Sequence, residues 1–299
     1  MLSVLTGNIL PVFSVLALGF ILGRAGTVSE GEARAANRIA FLIFQPALIF
    51  PLVAKYDAST FPIVALALYV AAQAICFTLA YLTARRIFGR EHGESWLLGM
   101  AVVFTNTLLY VWPISVLIYG AAGATPITAI VAWDSTVSFA FFIISMELIA
   151  GKYGTGAAVR SMGRNPVLMA ILLGLVVNLS GLTLPAPVET ALHYAGVAAS
   201  PLTLLAVGII LSGSRLTPTP VVAGISALKL LLFPAMVWAL IAVVHPSDPA
   251  APQFLLAAAG PSGMMAFSLA LLHGVRTDAI TPVIIWTSLL STVPLALLA

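Results

Sequence analysis

The chain has 299 residues, of which 61% are hydrophobic and 8% charged, with a formal net charge of +3. Soluble domains carry about 25% charged residues, so a surface this poor in charge excludes a water-soluble globule and makes lipid the main solvent. The basic residues are scattered singly or in small groups between apolar runs, which excludes a nucleic-acid face, and the single cysteine, Cys76, excludes an intrachain disulfide.

A helix needs about 20 predominantly apolar residues to cross a bilayer. Runs of that kind lie at 3–23, 35–54, 61–84, 96–119, 126–150, 166–184, 190–211, 220–244, 253–273 and 279–298. They predict an all-α integral membrane protein with ten transmembrane helices. The first run has no basic residue ahead of it and outlasts a signal-peptide core, so it reads as a retained span. Its Gly19 and Gly23 mark either close helix packing or a homodimer contact. Gln45-Pro46 interrupts the second run, and Gln73 lies in the third. The fourth carries Thr105-Asn106-Thr107 near its middle and Pro113 two turns later. Asp134 sits about a third of the way through the fifth run. Glu147, near that run's end, is placed to snorkel or to pair with Lys152.

The polar segment 151–165 links two halves, 1–150 and 166–299. Its Gly151–Gly156 stretch lacks the strand and the spacing of a phosphate loop, so nothing points to ATP. In the second half, His193 and Ser200-Pro201 dilute the seventh run, Lys229 lies mid-way through the eighth, and Gly260-Pro261-Ser262-Gly263 interrupts the ninth. The four histidines fall at or near run ends, where interfacial placement explains them without metal.

Placing the N-terminus outside puts Arg24, Arg34, Arg38, Arg85, Arg86, Arg90, Lys152, Arg160, Arg164, Arg215 and Arg276 in cytoplasmic loops and leaves only Lys55 outside. That asymmetry is what the positive-inside rule requires, and it sets both termini on the periplasmic side of a bacterial inner membrane. The halves also echo each other. Pro11 and Pro166, Pro46 and Pro201, Gly120 and Gly274, and Pro126 and Pro282 recur at offsets of 154–156 residues. Five spans per half is odd, so the second half enters the membrane inverted, an architecture of secondary transporters.

Breaks within a span survive only where protein or water replaces the lost backbone hydrogen bonds. Thr105–Thr107 and Gly260–Gly263 fall at matching positions, which predicts two discontinuous helices, the fourth and the ninth, meeting near the midplane. Their half-helix N-termini would offer unpaired N–H groups and positive dipole ends to a carboxylate. Taken singly, each break also reads as an ordinary proline kink. Lys229 could neutralise an anion, hold the crossing together electrostatically, contact the carbonyls of a broken helix or pair with Asp134, since a lone charge in a span costs about 2.5–3.5 kcal/mol. Asp134 could alternatively serve proton or sodium coupling. Gln45 and Ser200 fit either a substrate path or an interhelical hydrogen bond. An enzyme would need a nucleophile and base at one depth, and Ser135 has no histidine at its level.

Phe104-Thr105-Asn106-Thr107 followed by Trp112-Pro113-Ile114 resembles the fourth-span motif of the auxin efflux carrier family. Leu228-Lys229-Leu230 with Pro234, and Gln45-Pro46-Ala47-Leu48, resemble its eighth- and second-span motifs. Thr105 and Leu108 stand where the family usually has glycine, and Gln45 where it has leucine. The resemblance, which spans the whole chain, implies a fold like that of the bile acid–sodium symporters. Spans 1, 2, 6 and 7 would form a scaffold, and spans 3, 4, 5, 8, 9 and 10 a mobile core with crossed fourth and ninth helices. It implies an elevator-type secondary carrier for a small carboxylate such as malonate, malate or auxin, with Asn106 and Gly260–Gly263 at the anion and Thr105, Thr107 and Pro113 beside them. Sodium or proton coupling, a different small solute, and a channel or sensor on the same fold stay open.

Overall fold

A computed structural model describes residues 5–56, 59, 61–150, 165–213 and 217–298. Lys152, Arg160, Arg164, Arg215 and all of the predicted linker except Asn165 lie outside the described residues. Among the described residues thirteen helices follow one another: α1 Leu5–Arg24, α2 Glu30–Ala54, α3 Ile63–Ile87, α4 His92–Val103, α5 Thr107–Gly123, α6 Thr125–Ala150, α7 Pro166–Ser180, α8 Ala186–Ser212, α9 Pro220–Val244, α10 Ala251–Ala259, α11 Met265–His273, α12 Ile280–Leu290 and α13 Thr292–Leu298. No sheet forms among the described residues, and large apolar side chains such as Ile21, Leu173, Val176 and Leu179 face outward. The protein is an all-helical membrane protein.

Polar caps start several helices. Ser29 and Glu32 form a reciprocal capping box on α2, and the Asn165 side chain accepts from the N–H groups of Val167 and Leu168 at the start of α7. Prolines reshape the long helices. Residues 40–44, 107–111 and 228–232 each form a wide π turn just ahead of Pro46, Pro113 and Pro234. A proline ring has no N–H and crowds the carbonyl one turn back, and widening that turn relieves the clash.

Among the described residues six helices are long and apolar enough to cross a membrane, and α12 with α13, bent by 40°, makes a seventh. The other predicted crossings fall short for visible reasons. The fourth run divides into α4 and α5 and the ninth into α10 and α11. The sixth run is helical for 15 residues, about 22 Å of rise, before Gly181 turns it at φ +68°.

Packing is uneven. α1 lies along α8, and α2 lies along α7 and α8; α3 packs on α4 and α9, while α10 packs on α6 and α9, and α11 and α12 pack on α4. The α1–α8 contact is backbone to backbone. A Cβ at Gly208 would stand 2.1 Å from the carbonyl oxygen of Leu16, and one at Gly19 equally close to that of Leu205. Gly23 likewise abuts Ser212 and Ile209. Gly19 and Gly23 are therefore spent on close packing inside one chain, leaving no small-residue face there for a second copy.

Candidate functional site

α4 ends at Val103 because Phe104, Thr105 and Asn106 leave helical geometry, with ψ +98° at Phe104 and +62° at Asn106. α10 ends at Ala259, with Gly260 extended at ψ +166°. The two breaks meet. Thr105 and Ser262 form an antiparallel bridge, in which the Asn106 N–H donates to the Pro261 carbonyl at 2.9 Å and the Gly263 N–H to the Phe104 carbonyl at 2.8 Å. Each break thus supplies the hydrogen bonds that the other lost, which is how non-helical backbone can persist at membrane depth. Gly260 permits the approach, since a Cβ there would come within 2.3 Å of a Val111 methyl and 2.8 Å of the Thr105 methyl. Ser262 fixes the crossing from below, donating its hydroxyl to Ala101 O at 2.6 Å and its N–H to Thr287 Oγ1 at 3.2 Å.

A cavity of about 770 Å³ ends on this crossing, lined there by Thr105, Asn106, Thr107 and Gly263. The first turns of α5 and α11, including Leu108, Leu109, Met264 and Met265, also form its wall. The N–H groups that open a helix have no intrahelical acceptor, so both half-helices bring orphan donors and positive dipole ends to one space. The Asn106 side chain belongs to that wall and bonds to no protein group among the described residues. Arg34 and Arg38 line the far end, 11 and 7 residues before Gln45 on α2; for Arg34 that is about 16 Å of helix rise.

A second cavity, about 880 Å³, lies on the other side of the crossing, walled by Trp112, Pro113, Pro51, Ser200, Pro201, Lys55 and Glu189 among others. Leu109 lines the first cavity, and its carbonyl accepts the hydroxyl of Ser200, which lines the second. Gln45 in the first cavity donates across to Thr203 at 3.4 Å. The Ser200–Leu109 bond, between α8 and α5, lies between the two spaces, while Gln45 and Thr203 both belong to the first.

The candidate residues fall into three places. Thr105, Asn106, Thr107, Gly263, Gln45 and Asp134 line the first cavity; Pro113 and Ser200 line the second; Gly260, Pro261, Ser262 and Lys229 lie behind the crossing. Lys229 is wholly buried. Its ammonium donates to Thr105 Oγ1 at 2.5 Å and to Ala258 O at 3.3 Å, and sits 4.7 Å from the centre of the Phe233 ring. It thus caps the negative C-terminal end of α10 and touches the cavity wall only through Thr105. It makes no contact ion pair with Asp134: these acceptors hold the ammonium, and the two charges act on each other only at longer range.

Asp134 is held from α3 instead. Gln73 Nε2 donates to Asp134 Oδ1 at 2.8 Å and to Val103 O at 3.3 Å, while its own Oε1 accepts from Trp133 Nε1 at 2.9 Å. Nothing local in the sequence ties Gln73, in the third run, to a residue 61 positions later. Glu147 does not snorkel. It is 7% exposed, lines the first cavity, and its Oε2 has no partner among the described residues.

The family model described as "Membrane transport protein" matches residues 4–162 and 155–299, the whole of the chain but for its tip. The chain belongs to the membrane transport protein family. This is the family of the auxin efflux carriers that the motifs around Asn106 and Lys229 resemble, and its members are transporters rather than enzymes. An "Uncharacterized transporter" of Methanothermobacter thermautotrophicus is 29% identical over 299 residues, covering 98% of this chain and 96% of its own. A "Putative malonate transporter" of Rhizobium meliloti is 25% identical over 297 residues, covering 96% and 92%. "Uncharacterized transporter YfdV" of Escherichia coli K12 is 23% identical over 289 residues, covering 93% and 91%. As a member of this family, the chain is a multi-pass membrane transporter of a small molecule.

Proposed function

We propose that this transporter is a secondary carrier for a small organic anion, a mono- or dicarboxylate of the size of malonate, and that it works by elevator-type alternating access. The observation that carries the reading is the meeting of two half-helix N-termini and the Asn106 amide at the closed end of one cavity. Orphan N–H donors, a neutral amide and two dipole ends favour a carboxylate, and no acidic group projects from the crossing itself. The Rhizobium meliloti relative named for malonate supports the choice of a dicarboxylate. In this reading ten spans form two inverted halves, 1–150 and 166–299, with both termini outside a bacterial inner membrane. Arg38 then flanks a cytoplasmic mouth and attracts the anion, beside Arg34, whose charge is paired with Glu30. The packing of α1, α2, α7 and α8 on one another supports their role as a scaffold, past which the remaining helices carry the crossing.

A carrier is favoured over a channel because two distinct cavities flank the crossing, with the Ser200 hydroxyl bonded to Leu109 between their walls. The test is counterflow. Proteoliposomes loaded with unlabelled malonate should transiently concentrate labelled malonate against its gradient, with saturable rates. Linear, non-saturating flux without counterflow would mark a channel, and the absence of any malonate movement would remove the dicarboxylate assignment.

A further inference from the structure

Asp134 is the acidic side chain nearest the crossing that lines the first cavity, and its surroundings are unusual for a carboxylate in a membrane. It is 3% exposed, and Gln73 accounts for one oxygen. The other, Oδ2, finds no hydrogen-bond partner. The Ser138 hydroxyl, one turn further along α6, is close enough to act electrostatically but does not reach hydrogen-bond geometry. No lysine, arginine or histidine nitrogen among the described residues lies within 4 Å of either oxygen. The charged and titratable groups facing it are few. α9 brings Lys229, already bonded to Thr105 and Ala258, and α3 brings the Tyr69 phenol and, beside Lys229, the Cys76 thiol. α7 packs against the same turn without a titratable side chain, and α6 itself adds only Glu147, about 20 Å further along the helix axis.

An ionised carboxylate in such a place has Lys229 only at longer range, bonded to other acceptors, and lacks the contact cation and full set of donors that normally offset its burial. A bound metal ion would need several further oxygen ligands, and no group of three acidic, histidine or cysteine side chains gathers here among the described residues. A proton requires only the free oxygen. The same cavity wall carries Asp134 and the anion donors of the crossing, and Gln73 ties Asp134 directly to the last carbonyl of α4. A second negative charge entering this space raises the cost of keeping Asp134 ionised, so anion and proton favour each other's binding.

We propose that Asp134 Oδ2 is a proton-binding site loaded together with the anion, so that the carrier is a proton–anion symporter. The proton comes from cavity water, forms the O–H bond at Oδ2, and leaves to water on the opposite side once the anion departs. Glu147, also in the wall with a free oxygen, lies on the route between Asp134 and the mouth. The inference rests on the carboxylate reading above, and its test separates the two.

Malonate is added to the full-length protein in detergent, in lightly buffered, slightly alkaline solution containing a pH indicator, and binding is followed in parallel. Wild type should take up one proton per malonate bound. Asp134→Asn should bind malonate with no proton uptake, and Asp134→Glu should restore it. Infrared difference spectra of the wild type on malonate addition should show a carboxylic C=O band that moves in Asp134→Glu, which serves even where the asparagine variant folds poorly. Binding without proton uptake in the wild type, equal uptake by Asp134→Asn, or a sodium requirement abolished by that substitution would overturn the proposal while leaving the anion site standing. Failure of the wild type to bind malonate at all would overturn both.

Discussion

Asn106→Ala should leave the protein folded and its uptake of malonate reduced by roughly 10- to 150-fold. The backbone of Asn106 holds the crossing, through its N–H to Pro261 and its carbonyl to Tyr110 and Val111, and alanine keeps all three bonds. Only the side-chain amide goes, and that amide has no protein partner among the described residues. Nothing buried is orphaned by its removal, so stability should be unchanged. Hydrogen bonds to charged groups contribute about 1.5–3 kcal/mol, which converts to the stated range of affinity. The measurement is initial uptake at low malonate, with thermal unfolding in detergent as the check on folding. Uptake equal to wild type would remove Asn106 from the anion's surroundings.

Gly260→Ala should do the opposite, damaging the fold and transport together. The new methyl would lie 2.3 Å from Val111 Cγ2 and 2.8 Å from Thr105 Cγ2, and both neighbours are β-branched and stiff at χ1. Thr105 also carries the Lys229 hydrogen bond and half of the bridge to Ser262, so it has no free direction in which to retreat. Overpacking of a tight site costs about 1–3 kcal/mol. The unfolding midpoint should drop, and transport per folded molecule should drop with it as the two breaks separate. Gly31→Ala is the contrast. Its nearest neighbour would be Ser29 Oγ at 3.9 Å, and in a helical first turn alanine should be neutral or stabilising by about 0.5–1 kcal/mol.

Much of this was legible from the chain because lipid leaves few ways to write a helix and fewer to break one. Asn106 with its two threonines, and Gly260-Pro261 with Ser262-Gly263, stand out against apolar runs, and their matched positions foretold that the breaks belong together. Their meeting at Thr105 and Ser262 follows from the need to satisfy each other's backbone. What the chain hid were side-chain partners set by three-dimensional packing. Lys229 finds a threonine 124 residues away rather than the buried aspartate, and the aspartate finds a glutamine. The proline motif also misleads on location. Pro113 lies only seven positions from Asn106, yet the rise of α5 carries it past the crossing to line the opposite cavity. Gly19 and Gly23 suit either a second copy or close packing by sequence, and only the fold sets Leu205 and Ile209 against them.

A cryo-electron microscopy map of the transporter with malonate bound bears most directly on these proposals. Density for the dicarboxylate should lie within hydrogen-bond reach of the Asn106 amide and of the N–H groups that open α5 and α11. Ligand density confined to the cavity walled by Trp112 and Ser200, or a saturated sample with the crossing empty, would contradict them.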